Sequence, residues 1–310
     1  MKISILIPVI LLSSCQIKSG ISGGTDTVPS DTAILNEQFP LPSVPITLID
    51  QEARKSYLLT HYWNNFNFSD TTLLDNRNVT EQGFVDFIAL LANESTDELI
   101  KKSLDSWSKQ VLTSSYAQKV FTTLANDYLY NPNSPYYNEK LYILCLQAFL
   151  EKLPPKDVMY SAYNFKLQLC KRNNPGSLAT DFMYYLPDGN KVTLAKTPVK
   201  SKHLLLIFYD PECKLCHRVM NQMKTDETLT QAIKAGEVSV LAIYTEGNDE
   251  AWKKSLPDIP ENWTVGSDHE VIKMEALYDL KAMPAIYLLD KQKQVILKDA
   301  TYENIRHYLW

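Results

Sequence analysis

Two hydrophobic periodicities divide the chain. From about residue 49 to residue 171, apolar positions recur every three or four residues, as amphipathic helices require. In 51–66 the face is Ala53, Tyr57, Leu58, His61 and Tyr62; in 81–92 it is Phe84, Phe87, Ile88 and Leu91. Ser95-Thr96-Asp97-Glu98 reads as a capping box that opens a helix running to about Val111. The next pattern, 115–130, is stopped by the turn chemistry of Asn131-Pro132-Asn133-Ser134-Pro135. Segments 137–152 and 156–172 form a helical hairpin around Pro154-Pro155. No glycine falls between Gly83 and Gly176, which suits a compact helical bundle.

After Lys171-Arg172-Asn173-Asn174-Pro175-Gly176-Ser177 the pattern changes. Segments 182–186 and 192–194 flank Pro187-Asp188-Gly189-Asn190, a hairpin signal. Leu204 to Tyr209 is an unbroken apolar run, expected of a strand buried on both faces. A helix from Cys213 to about Lys224 follows, then a second buried strand at 238–244 and a polar helix at 249–255. Residues 270–278 read as helical, 285–289 and 295–297 as a pair of strands, and 302–309 as a closing helix. The expected fold is a helical domain over 46–172 followed by an α/β domain over 174–310, with a mixed central sheet flanked by helices.

The first residues follow neither pattern. Met1-Lys2 and the short apolar run Ile3–Leu12 have the form of a secretory signal and are too short to span a bilayer. Leu12-Ser13-Ser14-Cys15 resembles the bacterial lipobox. That resemblance implies cleavage of residues 1–14 and acylation of Cys15, with enough lipid for stable anchoring. Gln16 after the cysteine implies the outer membrane, and the absence of an acidic cluster implies a periplasm-facing anchor. Residues 15–45, rich in Ser, Gly, Thr and Pro, read as a flexible tether. Composition adds little: 310 residues with net charge −5 allow two domains and give no electrostatic case for nucleic acid.

The chemistry concentrates at Cys213-Lys214-Leu215-Cys216, directly after the long buried strand and at the start of a helix. Two cysteines one helical turn apart can be bridged with little distortion. The helix start and Lys214 favour the thiolate of Cys213, which makes it the nucleophile and Cys216 the resolving thiol. On this strand–motif–helix arrangement, and on Tyr278-Asp279-Leu280-Lys281-Ala282-Met283-Pro284-Ala285, the chain resembles the thioredoxin superfamily, most closely its membrane-tethered TlpA/ResA-type branch, over 174–310. The resemblance implies a cis-proline at Pro284 facing the disulfide, with Met283 pairing to substrate backbone. The helical half resembles a domain of unknown function found ahead of such modules in Gram-negative lipoproteins. Three positions depart from the family. Its buried acid is Ile207 here, its glutamate after the second cysteine is Val219, and its aromatic residue before the first is Glu212. Glu212 and His217 remain as candidate proton helpers.

Other readings compete with this one. Cys213 to His217 also spells the attachment motif of c-type haem, although a motif between a buried strand and a sheet-forming chain is an unusual place for it. Zinc would need a second ligand pair that the chain lacks, so no metal is expected. A peroxiredoxin would carry threonine where Asp210 stands. A plain structural disulfide is the blandest alternative. Cys145 and Cys170, offset along the helical hairpin, read as two buried unpaired thiols, and His61 as a packed residue. The expected activity is thiol–disulfide exchange in the cell envelope, running in the direction of reduction, with the Cys213–Cys216 disulfide as the redox group and no other cofactor. Expected partners are disulfide- or thiol-bearing envelope proteins, a membrane redox partner, and the bilayer through acylated Cys15. The alternative function is a non-catalytic binding lipoprotein on a thioredoxin-like scaffold.

Overall fold

The computed structural model describes residues 38–94 and 96–310. The signal segment, Cys15 and most of the expected tether lie outside the described residues, as does Ser95 of the expected capping box. The first half is helical: α1 (Gln51–His61), α2 (Thr71–Asp75), α3 (Thr80–Ala92), α4 (Asp97–Val111), α5 (Ser115–Ala125), α6 (Glu139–Leu150) and α7 (Val158–Lys171). Asp50, Asp70, Ser114, Asn138 and Asp157 cap their helices, each accepting from a backbone N–H in the first turn. At α4 the N-cap is Thr96, whose side chain makes no cap bond; Glu94 instead accepts from the Thr96 N–H at 2.8 Å. Aromatic rings fill the bundle, with Trp63 edge-on to Phe121 at 5.0 Å and Trp107 against Phe149 at 5.0 Å. His61 stacks on Tyr57 at 4.0 Å.

Two sequence expectations change here. Residues 38–45 are not free linker: Phe39 stacks on Tyr62 at 4.8 Å and meets Trp63 at 5.0 Å, and Asn65 donates to the Leu41 carbonyl. The Phe39 ring also covers Gly83, where a β-carbon would come within 2.2 Å of it. Beyond α5 the helix continues as one π turn, Asn126–Tyr130, before the expected stop.

The second half carries a seven-stranded sheet of order β2-β1-β5-β4-β3-β6-β7, formed by β1 (Met183–Tyr185), β2 (Lys191–Thr193), β3 (His203–Tyr209), β4 (Val238–Tyr244), β5 (Thr264–Ser267), β6 (Ala285–Asp290) and β7 (Val295–Leu297). β3 runs parallel to β4 and antiparallel to β6. Its side chains alternate between two cores. Leu205, Ile207 and Tyr209 face α8 (Lys214–Thr225), while Leu204, Leu206 and Phe208 face Phe182 and Tyr278. α9 (Glu227–Lys234), α10 (Asp249–Ser255), α11 (Val271–Met274) and α12 (Tyr302–Leu309) complete the domain.

β5 and α9 are additions to the sequence reading. β5 is four residues with one large apolar side chain, and Gly266 within it accommodates the Tyr184 ring. The helix expected over 270–278 is only the single turn α11. Glu270 and Ala276 bracket it at φ of 67° and 50°, and Tyr278 leaves the turn to enter the core, its hydroxyl donating to the Thr180 carbonyl. Among the described residues no helix is long and apolar enough to cross a membrane.

Candidate active site

β3 ends at Tyr209, and the chain turns through Asp210, whose carbonyl accepts from the Cys213 N–H at 3.1 Å and whose side chain accepts from the Glu212 N–H at 2.9 Å. This turn sets Cys213 at the N-cap of α8. Its sulfur takes the place of a capping oxygen and accepts from the Cys216 N–H at 3.5 Å. The free N–H groups of a helix start thus point at the first sulfur. The Cys213 thiol also reaches the Met283 carbonyl, 3.8 Å away, and the Met283–Pro284 peptide bond is cis. Cys213, Cys216, Met283 and Pro284, far apart along the chain, therefore meet in one place.

The two cysteines are not equivalent. Cys213 is half-buried, whereas Cys216 is 1% exposed and packs in the core beneath α8. Burial pushes the Cys216 thiol up to about 12, with the Asp210 backbone acting the other way and the Cys213 sulfur adding to the rise. All four described cysteines are free thiols. Cys145 and Cys170 are buried in the helical half, and burial raises both, Cys170 to about 12.

The auxiliary candidates lie elsewhere around the pair. Lys214 is exposed. Glu212 and His217 share a separate hollow with Asn248 and Lys254, and the Asn248 amide donates to Glu212 at 3.4 Å. Asp210 is the acid whose charge acts on Cys216, at the site where Ile207 and Val219 supply none. Its signal in the sequence was slight: a carboxylate three residues before the first cysteine, at the end of a buried strand.

A second cluster lies behind Met283. Lys281, its side chain 2% exposed, pairs with Asp299 at 2.5 Å, Glu139 at 2.8 Å and Asp279 at 3.4 Å. Burial alone would lower its pKa; the three carboxylates outweigh that and hold it above the ordinary lysine value. Tyr130 donates to Asp279, and Lys298 binds Glu139 at 3.1 Å and the Cys170 carbonyl at 2.6 Å. Glu139, Cys170 and Asp279 approach metal-ligand spacing, but the two lysine ammonium groups already supply the positive charge there. Residues 130–139 and 170 come from the helical half, so this cluster joins the two halves.

The comparisons fit this geometry. A family described as a domain of unknown function (DUF5106) matches residues 14–173, and the thioredoxin-like domain family matches residues 191–301. A thioredoxin-like protein from Bacteroides caccae is 33% identical over 88% of this chain and 98% of its own, with a TM-score of 0.73. The C-terminal domain of an uncharacterized protein from Bacteroides fragilis is 39% identical over 44% of this chain and 97% of its own, TM-score 0.42. A domain of a possible thiol-disulfide isomerase from Cytophaga hutchinsonii is 26% identical over 45% and 92%, TM-score 0.39. No curated protein matches the chain. With helical domain, mixed sheet and cis-proline loop in one chain, this protein belongs to the thioredoxin-like family, in the form that carries the DUF5106 domain ahead of the thioredoxin-like domain.

Proposed function

We propose that the chain is a thiol–disulfide oxidoreductase that acts as a disulfide reductase in the cell envelope, tethered through acylated Cys15 and facing the periplasm. The observation that carries this reading is the Cys213 thiol, half-buried at a helix start and 3.8 Å from the Met283 carbonyl beside a cis-proline. The Cys213 thiolate attacks a partner's disulfide. One Cys213–partner S–S bond forms, and the partner's other sulfur leaves with the electron pair and takes up a proton. Cys216 then gives up its proton and attacks the sulfur of Cys213, closing the Cys213–Cys216 disulfide and releasing the partner reduced. A membrane redox partner returns two electrons. No other cofactor enters the cycle, and the burial of Cys216 under α8 leaves its sulfur poorly placed for a thioether to haem.

Trapping tests this. A Cys216→Ser chain expressed in its own envelope should accumulate a partner in a reducible disulfide, and a Cys213→Ser chain none. The trapped species should partition into detergent, and should leave the detergent phase once Cys15 is replaced by Ala. Equal trapping by both cysteine variants would remove the assignment of nucleophile and resolving thiol.

A further inference from the structure

Beside the cysteine pair lies a cavity of about 340 Å³ whose walls have three origins. Leu215 and Val219 come from α8, and Met283 and Pro284 from the cis-proline loop. The third wall is Pro132 and Asn133, from the helical half. The cavity is continuous with the redox pair, because Met283 both lines it and meets the Cys213 sulfur.

The third wall is fixed. The π turn ends in Tyr130, whose hydroxyl donates to Asp279, and Glu139, where α6 begins, binds Lys281. Between them the loop closes on itself, with the Ser134 N–H on the Asn131 carbonyl at 3.0 Å and the Asn138 N–H on the Leu129 carbonyl at 3.0 Å. Both Asp279 and Lys281 lie in the segment leading to Met283, so wall and cis-proline loop are braced against each other.

The chemistry of the cavity selects its occupant. Leu215 is 38% exposed, an apolar side chain turned to solvent in the first turn of a mostly polar helix. The cation among the lining residues, Lys281, is enclosed by three carboxylates, and Glu303 stands at the rim beside Asp299. An acidic side chain would meet like charge there, and an apolar one would bury surface against Leu215, Val219 and Met283.

We propose that Pro132 and Asn133 make the helical half a specificity wall of the redox site. It selects partners whose reactive cysteine is flanked, in an extended segment, by an uncharged apolar side chain. This rests on Cys213 being the attacking sulfur and adds the substrate class. The test uses full-length Cys216→Ser chain and short cysteine peptides activated as mixed disulfides with thionitrobenzoate. Attack by Cys213 forms the Cys213–peptide bond and releases coloured thionitrobenzoate with the electron pair of the broken S–S bond. A chain with both cysteines replaced by Ser serves as the blank. With Leu, Gly or Glu beside the peptide cysteine, the Leu peptide should react about tenfold faster, as partial burial of one leucine implies. Asn133→Trp, which fills the cavity from the helical side, should bring that ratio close to one, while Asn133→Ala should keep it. The described hydrogen bond of Asn133 runs through its backbone N–H, so both variants leave the loop intact. Equal rates in the parent chain, or a ratio that survives Asn133→Trp, overturn the proposal. Should all peptides react no faster than with an unstructured cysteine, the nucleophile assignment fails separately, since the ratio reads the cavity at any absolute rate.

Discussion

Cys213 and Cys216 stand one helical turn apart and differ in almost every physical respect. The first borders solvent and the helix start; the second is sealed among Ile207, Met220 and Met223. A thiol held up at about 12 keeps its proton through neutral pH, so Cys216 is silent until the mixed disulfide forms. In a Cys213→Ser chain, alkylation of Cys216 by iodoacetamide at pH 7 should run about a hundredfold or more below that of the unfolded chain. Its rate should keep rising with pH past 10, and a plateau near pH 9 would contradict this. The same shift makes stability fall with pH. Between the unfolded thiol value of about 9 and about 12, the unfolded chain releases protons that folded Cys216 and Cys170 retain. At this scale the sequence showed where the pair and Pro284 stand, because a motif of neighbouring residues carries them. Asp210 was harder to see, since its relation to Cys216 depends on how β3 turns into α8.

Elements were legible where their period was long and their burial complete. The run Leu204–Tyr209 could hardly be anything but a central strand, and α8 starts where the cysteine motif says it does. β5 was invisible because four residues with a glycine among them carry no period, and its place comes from pairing with β4 and β1. The start of the helical half was misjudged for a related reason: the polar, proline-bearing stretch around Phe39 gives no sign that one ring is docked on Gly83. That contact predicts a change of sign. With Phe39 present, Gly83→Ala forces the ring away and should cost about 1–3 kcal/mol. In a Phe39→Ala chain the clash is gone, and the same change should stabilise by up to about 1 kcal/mol through helix propensity. Urea unfolding of the four chains measures both, and additive effects would mean that the ring does not sit there.

At the scale of the whole molecule, composition and period placed the division near residue 173 but could not show the joint. Glu139, Cys170, Asp279, Lys281, Lys298 and Asp299 are dispersed over 160 positions of an ordinary-looking sequence, and only the fold makes one cluster of them. Lys281→Met leaves three buried carboxylates with Lys298 as the remaining lysine in the cluster. Removing one partner of a buried ion network typically costs about 3–5 kcal/mol. In the parent chain, helical circular dichroism and tryptophan fluorescence should report one coincident transition. In the variant the midpoint should fall, and a loss below about 1 kcal/mol would show that the cluster does not hold the halves together.

The π turn at Asn126–Tyr130 bears on how such a chain can change over generations. A π turn is an α-helix that has taken in one extra residue. Deleting a single residue there would restore the ordinary helix and swing the segment beyond it by about 100° around the axis. Tyr130 would leave Asp279, and Pro132 and Asn133 would turn away from the cavity. Substitutions in this stretch can be absorbed one at a time, whereas a change of length cannot. Across descendants of this chain, the spacing between residues 125 and 139 should be inherited more strictly than the letters that fill it.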